Sequence, residues 1–516
     1  MNRRMFIQRI GISAAGTAWL GCRQTAQASK GTQYSQGLTA FLRNKPNVLI
    51  VVGDDMTCHD CEPYGSKQVK TPNMTRLAQE GLCLDGMFTA TAMCAPTRQQ
   101  LYTGMYPVRS GAYPNHSRVY DGVKSLPHYL KDLGYRVGLI GKRHFGPAQS
   151  YPFEFLANKL DIKPGEVNTK AIAEFVNRDA TQPYCLIATS NEPHSPWDRG
   201  DQSAYPAEKL TVPPYLVDCP ETRQELTKYY AEISYLDWQL GECVKVVDAS
   251  GRKDNTMVIF TSEQGSSFPF GGKWTCYENG LKTAFIVRWP AKIKPGTRSA
   301  ALAQYVDLTP TLIEAAGGDP SAIQTGRADA HGYAGFDGRS FVSVLLGKTN
   351  HHRDYIFGAH TTRGIINGSA CYPIRSVRDK RYKYILNPNH QTVFYNVEAT
   401  RRGGLLDVWK KLGEKDAAIA ARARFYQHRP MEELYDLKND PYELKNRADD
   451  PKLAKIKQEL KKKLKDWMTQ QGDEGNAAEL RATERQGKTG RPNWKAYDPD
   501  LRPTPKKKIS ATRKTK

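Results

Sequence analysis

Apolar positions in the first two thirds of the chain follow two alternating rhythms. Short, nearly continuous apolar runs at residues 47–52, 137–140, 185–188 and 257–261 read as buried strands. Between them the spacing switches to that of helices. Thr71 is placed to cap a helix with Pro72 at its first position, Met74, Leu77 and Ala78 turned inward, and Gly81 as the stop. Thr309-Pro310 opens another, with Leu312, Ile313 and Ala316 on one face and Gly317 ending it. A longer helix carries Ile233, Leu236, Leu240, Val244 and Val247, a pattern that keeps one face apolar. Strands alternating with helices predict an α/β fold whose large, mostly parallel sheet is flanked by helices on both faces.

After residue 350 the pattern changes. Tyr372-Pro373-Ile374-Arg375-Ser376-Val377 and residues 382–386 read as a hairpin, and Glu433-Leu434-Tyr435-Asp436-Leu437 as another short strand before the Asp440-Pro441 turn. Residues 452–468 form a basic amphipathic helix with Leu453, Ile456, Leu460, Leu464 and Trp467 on its apolar side. The expected plan is a catalytic domain over 45–350, a smaller α+β subdomain with an antiparallel sheet over 351–470, and a basic, disordered tail over 471–516.

Charge and the first residues add a compartment. Arg3, Arg4 and Arg9 precede a weakly apolar stretch from Ile10 to Gly21, and Ala26-Gln27-Ala28 offers a cleavage site, the order of a signal peptide over 1–28. Residues 2–7 resemble a twin-arginine signal, and Leu20-Gly21-Cys22 is a partial lipobox, so the chain is expected to be exported, periplasmic or secreted, with a lipid anchor at Cys22 as the lesser alternative. No apolar run is long enough to span a bilayer. The net charge of +22 suits an anionic substrate, and no nucleic-acid-binding motif accompanies it. Nine cysteines follow Cys22; Cys58-His59-Asp60-Cys61 has the spacing of half a zinc site but no second half, so incidental placement is the better reading.

The chemistry collects where strands end. The four predicted strands run into Gly53-Asp54-Asp55, Gly141-Lys142-Arg143-His144, Asn191-Glu192-Pro193-His194 and Ser262-Glu263-Gln264-Gly265. Open α/β sheets place their sites at these carboxyl ends. Asp54, Asp55, Glu263 and Gln264 supply hard oxygen donors suited to calcium or magnesium and ill suited to zinc. Lys142, His144 and His194 supply positive charge and proton transfer, a combination that fits a tetrahedral oxyanion, sulfate or phosphate alike.

Cys94-Ala95-Pro96-Thr97-Arg98, followed by Leu101-Tyr102-Thr103-Gly104, narrows the choice. Arg98, four places on from Cys94, shares its face if a helix begins there. With Asp54-Asp55, Gly141-Lys142, His194 and Gly272-Lys273-Trp274-Thr275 in order, the chain resembles the type I, formylglycine-dependent sulfatases over roughly residues 45–470. The resemblance implies an alkaline-phosphatase-like sandwich and a Cys94 converted to formylglycine by a maturation enzyme. It implies a metal, Ca2+ or Mg2+, held by Asp54, Asp55, residue 94, Glu263 and Gln264. It makes Arg98 and Lys142 stabilisers of the nucleophile, His144 the base for collapse, and His194 and Lys273 the groups that bind sulfate and protonate the leaving group. One departure stands out: where the family has Asp followed by Asn or His, this chain has the longer Glu263-Gln264.

Ser125-Leu126-Pro127, residues 141–147, Tyr151-Pro152-Phe153-Glu154-Phe155 and residues 372–377 resemble the heparan N-sulfatase (sulfamidase) branch, which implies N-sulfoglucosamine as substrate. An O-sulfatase on another sulfated polysaccharide, a phosphohydrolase of the same superfamily and a non-catalytic binder of sulfated glycans are the alternatives. His360, Arg363 and Arg375 are candidates for sugar contacts, with a structural role equally open to each.

Overall fold

Val48, Leu49, Ile50, Val51 and Val52 are each at most 2% exposed, so their strand is covered on both faces. The computed structural model describes residues 45–486. The expected signal region with Cys22 and the basic run from Arg491 lie outside the described residues.

The strands are β1 (Asn47–Gly53), β2 (Leu82–Phe88), β3 (Arg136–Gly141), β4 (Glu154–Ala157), the small hairpin β5 (Asp161–Lys163) and β6 (Glu166–Val167), then β7 (Tyr184–Thr189), β8 (Thr256–Ser262), β9 (Phe285–Arg288) and β10 (Thr297–Gln304). Eight of them form one sheet in the order β10-β2-β9-β8-β1-β7-β3-β4. β1 lies parallel between β7 and β8, with Ile50 opposite Ile187 on one side and Ile259 on the other. β9 alone in this sheet runs antiparallel, to both β2 and β8. The alternation of rhythms thus gives the mostly parallel sheet it predicts, and the four apolar runs are the strands β1, β3, β7 and β8.

Helices cover the sheet where the periodicity places them. Pro72–Gln79 begins after Thr71, whose hydroxyl accepts the amide of Glu62 and makes no cap bond. It ends two residues before Gly81, with Ala78 only partly buried against the core. The Pro220–Ala249 helix buries Ile233, Leu236, Leu240, Val244 and Val247. The helix expected from Thr309 starts one residue earlier, Leu308–Ala315, because a 3-10 turn over Tyr305–Asp307 leads into it.

A second, antiparallel sheet follows: β11 (Ile356–His360), β12 (Ile374–Arg378), β13 (Tyr382–Leu386) and β14 (Glu432–Asp436), in that order. The Ala454–Gln471 helix lays Leu460, Leu464 and Trp467 on it, Trp467 stacking on Phe357 with ring centroids 5.0 Å apart. The Ala359 amide of β11 donates to the Ala90 carbonyl at 2.7 Å, which ties the edge of this sheet to the loop before Cys94. Residues 472–486, placed in the expected tail, are folded onto the rest. A short helix, Asn476–Leu480, buries Glu479, which accepts the amides of Thr362 and Arg363. Local composition is polar there, and bonds to distant residues, Tyr113 to the Ala478 carbonyl and Arg375 to Asp473 among them, draw the segment inward. No helix among the described residues is long and apolar enough to cross a membrane.

Candidate active site

Because β1, β3, β7 and β8 are parallel, their carboxyl ends deliver Asp54, Asp55, Lys142, His144, His194, Glu263 and Gln264 to one edge of the sheet. Gly141 has φ +99°, and a Cβ there would lie 2.0 Å from the Thr189 carbonyl oxygen, so only glycine lets β3 hug β7 and turn Lys142 into the site. Cys94 is the first residue of a buried helix, Cys94–Thr103. Its Sγ lies 3.6 Å from Asp54 Oδ1 and 3.3 Å from Gln264 Nε2. One turn on, Arg98 places Nε 2.8 Å from Glu263 Oε2 and Nη2 3.9 Å from Asp54 Oδ2, and its Nη1 donates to the Lys142 carbonyl at 3.0 Å. The Lys142 ammonium contacts Asp54 and stands 3.8 Å from Glu263 Oε1. The Lys273 ammonium contacts Asp55, whose other oxygen accepts the Gln264 amide at 2.7 Å. His194 Nε2 is 3.7 Å from Asp55 Oδ2, and its Nδ1 is 2.7 Å from the Ser195 carbonyl oxygen.

Burial and opposite charge compete across this cluster. Burial favours the neutral form of Asp54, yet Lys142, with Glu263, His194 and Arg98, holds it well below the usual carboxylate range. Glu263 goes the other way: burial, partly countered by Arg98, pushes it up to about 8. Burial also raises the Cys94 thiol far above its ordinary value, with Glu263 adding to the shift, so an unmodified thiol there is a poor nucleophile. For Lys142 and Lys273, Asp54 and Asp55 respectively overcome burial and keep the ammonium charged. Burial, then Lys142 and His116, hold His144 well below 6.5, so it stands as a neutral base.

Three acidic side chains, Asp54, Asp55 and Glu263, thus face three basic ones, Arg98, Lys142 and Lys273. The ligand atoms of Asp54, Asp55, Cys94 and Glu263 all lie within 4.8 Å of one another. Neither oxygen of Glu263 receives an aligned hydrogen bond, and Gln264 Oε1 is buried without a partner. Buried acceptors are normally satisfied. Buried carboxylate and amide oxygens gathered around one point are the donor chemistry that a hard divalent cation completes, and the residues present fit one.

The backbone is also unusual here. Asp55, His116, His144 and Trp274 are four of seven non-glycine residues with positive φ among the described residues. Such conformations cost of order 1–3 kcal/mol each and persist where the surroundings enforce them. His116 was not singled out by the sequence. Its Nδ1 lies 2.8 Å from His144 Nε2, leaving His144 Nδ1 without a hydrogen-bond partner. Gln99, one residue beyond Arg98, donates to the Ser117 carbonyl at 3.0 Å and so ties the His116 loop to the Cys94 helix. No local pattern announces a pair of histidines 28 residues apart; the Asn115-His116 turn is the one faint signal.

The sulfatase family profile matches residues 46–318, just over half of the chain, and a second profile, N-sulphoglucosamine sulphohydrolase, C-terminal, matches 268–399 and 421–470. The chain belongs to the sulfatase family. It is 34% identical over 443 residues to an ulvan-active sulfatase of Formosa agariphila, covering 84% of this chain and 82% of that one. It is 27% identical over 468 residues to the N-sulphoglucosamine sulphohydrolase of Homo sapiens, covering 83% and 90%. The sulfatase fold is shared with the crystal structure of the putative sulfatase yidJ from Bacteroides fragilis, at a TM-score of 0.65 and 20% identity over 84% of this chain and 97% of that one. It is an alkaline-phosphatase-like fold, and the sulfatase is a hydrolase of sulfate esters or sulfamates.

The sequence-predicted residues divide sharply in this sulfatase. Asp54, Asp55, Cys94, Arg98, Lys142, His194, Glu263, Gln264 and Lys273 touch one another directly, and His144 adjoins them through the field of Lys142. The three expected sugar contacts do not join them. Arg375 is fully buried: its Nε and Nη2 donate to Asp473 and its Nη1 to the carbonyls of His360 and Ile374. His360 is 0% exposed, so neither residue has a surface to offer a sugar. Arg363 is half-buried and donates to the Ala370 carbonyl at 3.3 Å.

Proposed function

We propose that the sulfatase is exported and removes sulfate from a sulfated glycan, with residue 94 matured to formylglycine and a divalent cation, calcium or magnesium, held by Asp54, Asp55, Glu263 and Gln264. The observation that carries this reading is the convergence of buried ligand atoms around Cys94, with the oxygens of Glu263 and Gln264 Oε1 lacking aligned hydrogen bonds. The charge balance supports it. A bound dication favours the ionised form of Glu263; three carboxylates then cancel three cations and the dication leaves two positive charges, which match one sulfate monoanion and one ionised oxygen at residue 94. The cation supplies Lewis-acid charge for the sulfate when bound.

The chain's own groups do the rest. Hydration of the aldehyde at residue 94 gives two hydroxyls. One, its proton released to solvent, attacks sulfur as the ionised oxygen, the bond from sulfur to the glycan breaks, and His194 or Lys273 gives the departing oxygen or nitrogen its proton. Arg98 and Lys142 hold negative charge at residue 94. His144, neutral and buried, takes the proton of the second hydroxyl; the carbon–oxygen bond to sulfate then breaks and the aldehyde returns. Glu263-Gln264 keep the oxygen donors of the shorter pair, and Arg98 against Glu263 fixes where the longer carboxylate reaches.

The C-terminal profile and the sulfamidase-like stretches favour N-sulfoglucosamine as the group attacked. A second reading, an O-sulfate of a polysaccharide, is favoured by the higher identity to the ulvan-active relative. Intact-mass analysis of the residue-94 peptide, about 18 mass units below cysteine if matured, should be paired with sulfate release from N-sulfated, 2-O-sulfated and 6-O-sulfated saccharides and from ulvan. Full turnover from a wholly unmodified thiol would sink the mechanism; release from O-sulfated substrates alone would reject the N-sulfate reading and keep the rest.

A further inference from the structure

Two cavities open beside the site and share Asn191, Glu192 and Arg199. One, of about 270 Å³, is lined by Asp54, Lys142 and His194 at its inner end. The other, of about 220 Å³, runs outward past Lys159 and Lys163. Together they form a trench that starts at the reacting groups, with Arg199 lining both parts.

On the footing of glycan desulfation, we propose that Arg199 is a specificity-determining residue. It pairs with an anionic group, a carboxylate or a second sulfate, on the sugar next to the one losing sulfate, and Glu232 is the positioning residue that holds it there. Glu232 is fully buried on the Pro220–Ala249 helix, and its Oε1 accepts the backbone amides of both Asp198 and Arg199, at 2.6 and 3.0 Å. Gly200 follows with φ +74°, and a Cβ there would lie 2.1 Å from the Ala231 carbonyl oxygen, so the turn is pressed directly onto that helix. On the other side Trp197 Nε1 donates to the Pro193 carbonyl at 2.8 Å, and its ring stacks on Phe268 with centroids 4.8 Å apart. The backbone of Arg199 is therefore clamped from both directions, which removes much of the entropy that binding with a long side chain would lose.

The head group stays available. Its side chain is 35% exposed, and among the described residues its one ion pair is with the adjacent Asp198, 3.3 Å away and itself 63% exposed, an arrangement a ligand anion can replace. Two other acids of the trench are engaged elsewhere: Asp54 is matched by Lys142, and Asp161 accepts from Tyr235 and Gln239 at 2.7 and 2.8 Å.

Kinetics on two saccharides test this: a disaccharide desulfated by the wild type and carrying both a uronate carboxylate and a second sulfate, and the matched monosaccharide carrying the scissile sulfate alone. Arg199→Ala is expected to raise KM for the disaccharide about ten- to hundredfold, the loss of one charge-assisted contact, with kcat and both monosaccharide constants within about twofold. Glu232→Ala should reproduce the KM effect, and Glu232→Gln, which keeps an oxygen acceptor for the two amides, should not. Carboxyl-reduced and singly sulfated disaccharides identify the partner: the one whose KM no longer responds to Arg199→Ala lacks the group Arg199 binds. Equal changes on both saccharides, no change on either, or a response that survives both modifications overturns the subsite alone. No sulfate release by the wild type from any saccharide overturns the glycan reading and the subsite with it.

Discussion

Two buried charge clusters in this molecule look alike by composition and differ in how they are satisfied. At Arg375 every nitrogen of the guanidinium has a partner, Asp473 on one side and two backbone carbonyls on the other, and Asp473 also accepts the Gly475 amide. At Cys94 acidic and basic groups match in number, yet Glu263 pairs with Arg98 without an aligned hydrogen bond and Gln264 Oε1 is buried without a partner. The first cluster is closed and holds the second sheet to the segment after the Ala454–Gln471 helix. The second is open and keeps capacity for something that arrives later. Burial of charge alone therefore marks nothing; how the buried groups are satisfied separates these two clusters.

The comparison can be broken most severely at residue 94. Cys94→Ala should lower sulfate release by at least about 10³-fold, while the melting temperature stays within a few degrees, because the thiol contributes only weak contacts to the fold. A large loss of stability would make the open cluster structural after all.

Chelation should come next, abolishing turnover, with calcium or magnesium restoring it better than zinc. Calcium should also raise the melting temperature of chelated protein by mass action, and that rise should shrink in Glu263→Asp with Gln264→Asn. The shorter pair should lose activity as well, since donors shortened by about 1.5 Å fall out of reach in a pocket fitted to the longer ones. An unchanged melting temperature on adding calcium to chelated wild type would remove Glu263 and Gln264 from the metal set.

The closed cluster should answer in stability instead. Arg375→Ala leaves Asp473 buried and unpaired and should cost about 3–5 kcal/mol in denaturant unfolding, with sulfate release per folded molecule unchanged. Replacing both partners, Arg375→Met with Asp473→Leu, should recover much of that loss. Lower KM sensitivity to glycan in the folded variant would return Arg375 to the list of sugar contacts.

The smallest expected effect is at His116. His116→Ala removes the one hydrogen bond on His144 and should lower kcat about tenfold, roughly 1.4 kcal/mol, with KM little changed. An unchanged kcat would mean that the strained turn at His116 serves the loop alone.

The fold was legible wherever burial forces an uninterrupted apolar run. β1, β3, β7 and β8 are central and covered on both faces, so their sequences announce them. β9 has four residues and gains its place by pairing antiparallel with β2 and β8, a choice made by residues far along the chain. β10 mixes Arg298 and Ser299 with alanines at the sheet edge and carries no strong rhythm. The site was legible to the extent that it sits at strand ends. Arg375 misled because its partner Asp473 is 98 residues away, and an arginine in a strand looks the same whether it meets a sugar or a buried carboxylate. Arg199 and Glu232 were invisible for the same reason: the bond that links them is to backbone amides.

What the sequence determined by itself is the chemistry available: residue types set charge, oxygen donors and the oxidisable thiol of Cys94 before any fold exists. What only the tertiary structure decided is which of those groups stay unsatisfied. That depends on the partners each one meets when parallel strands bring distant loops to one edge, and a buried acceptor left without a donor is a property of the assembled surroundings.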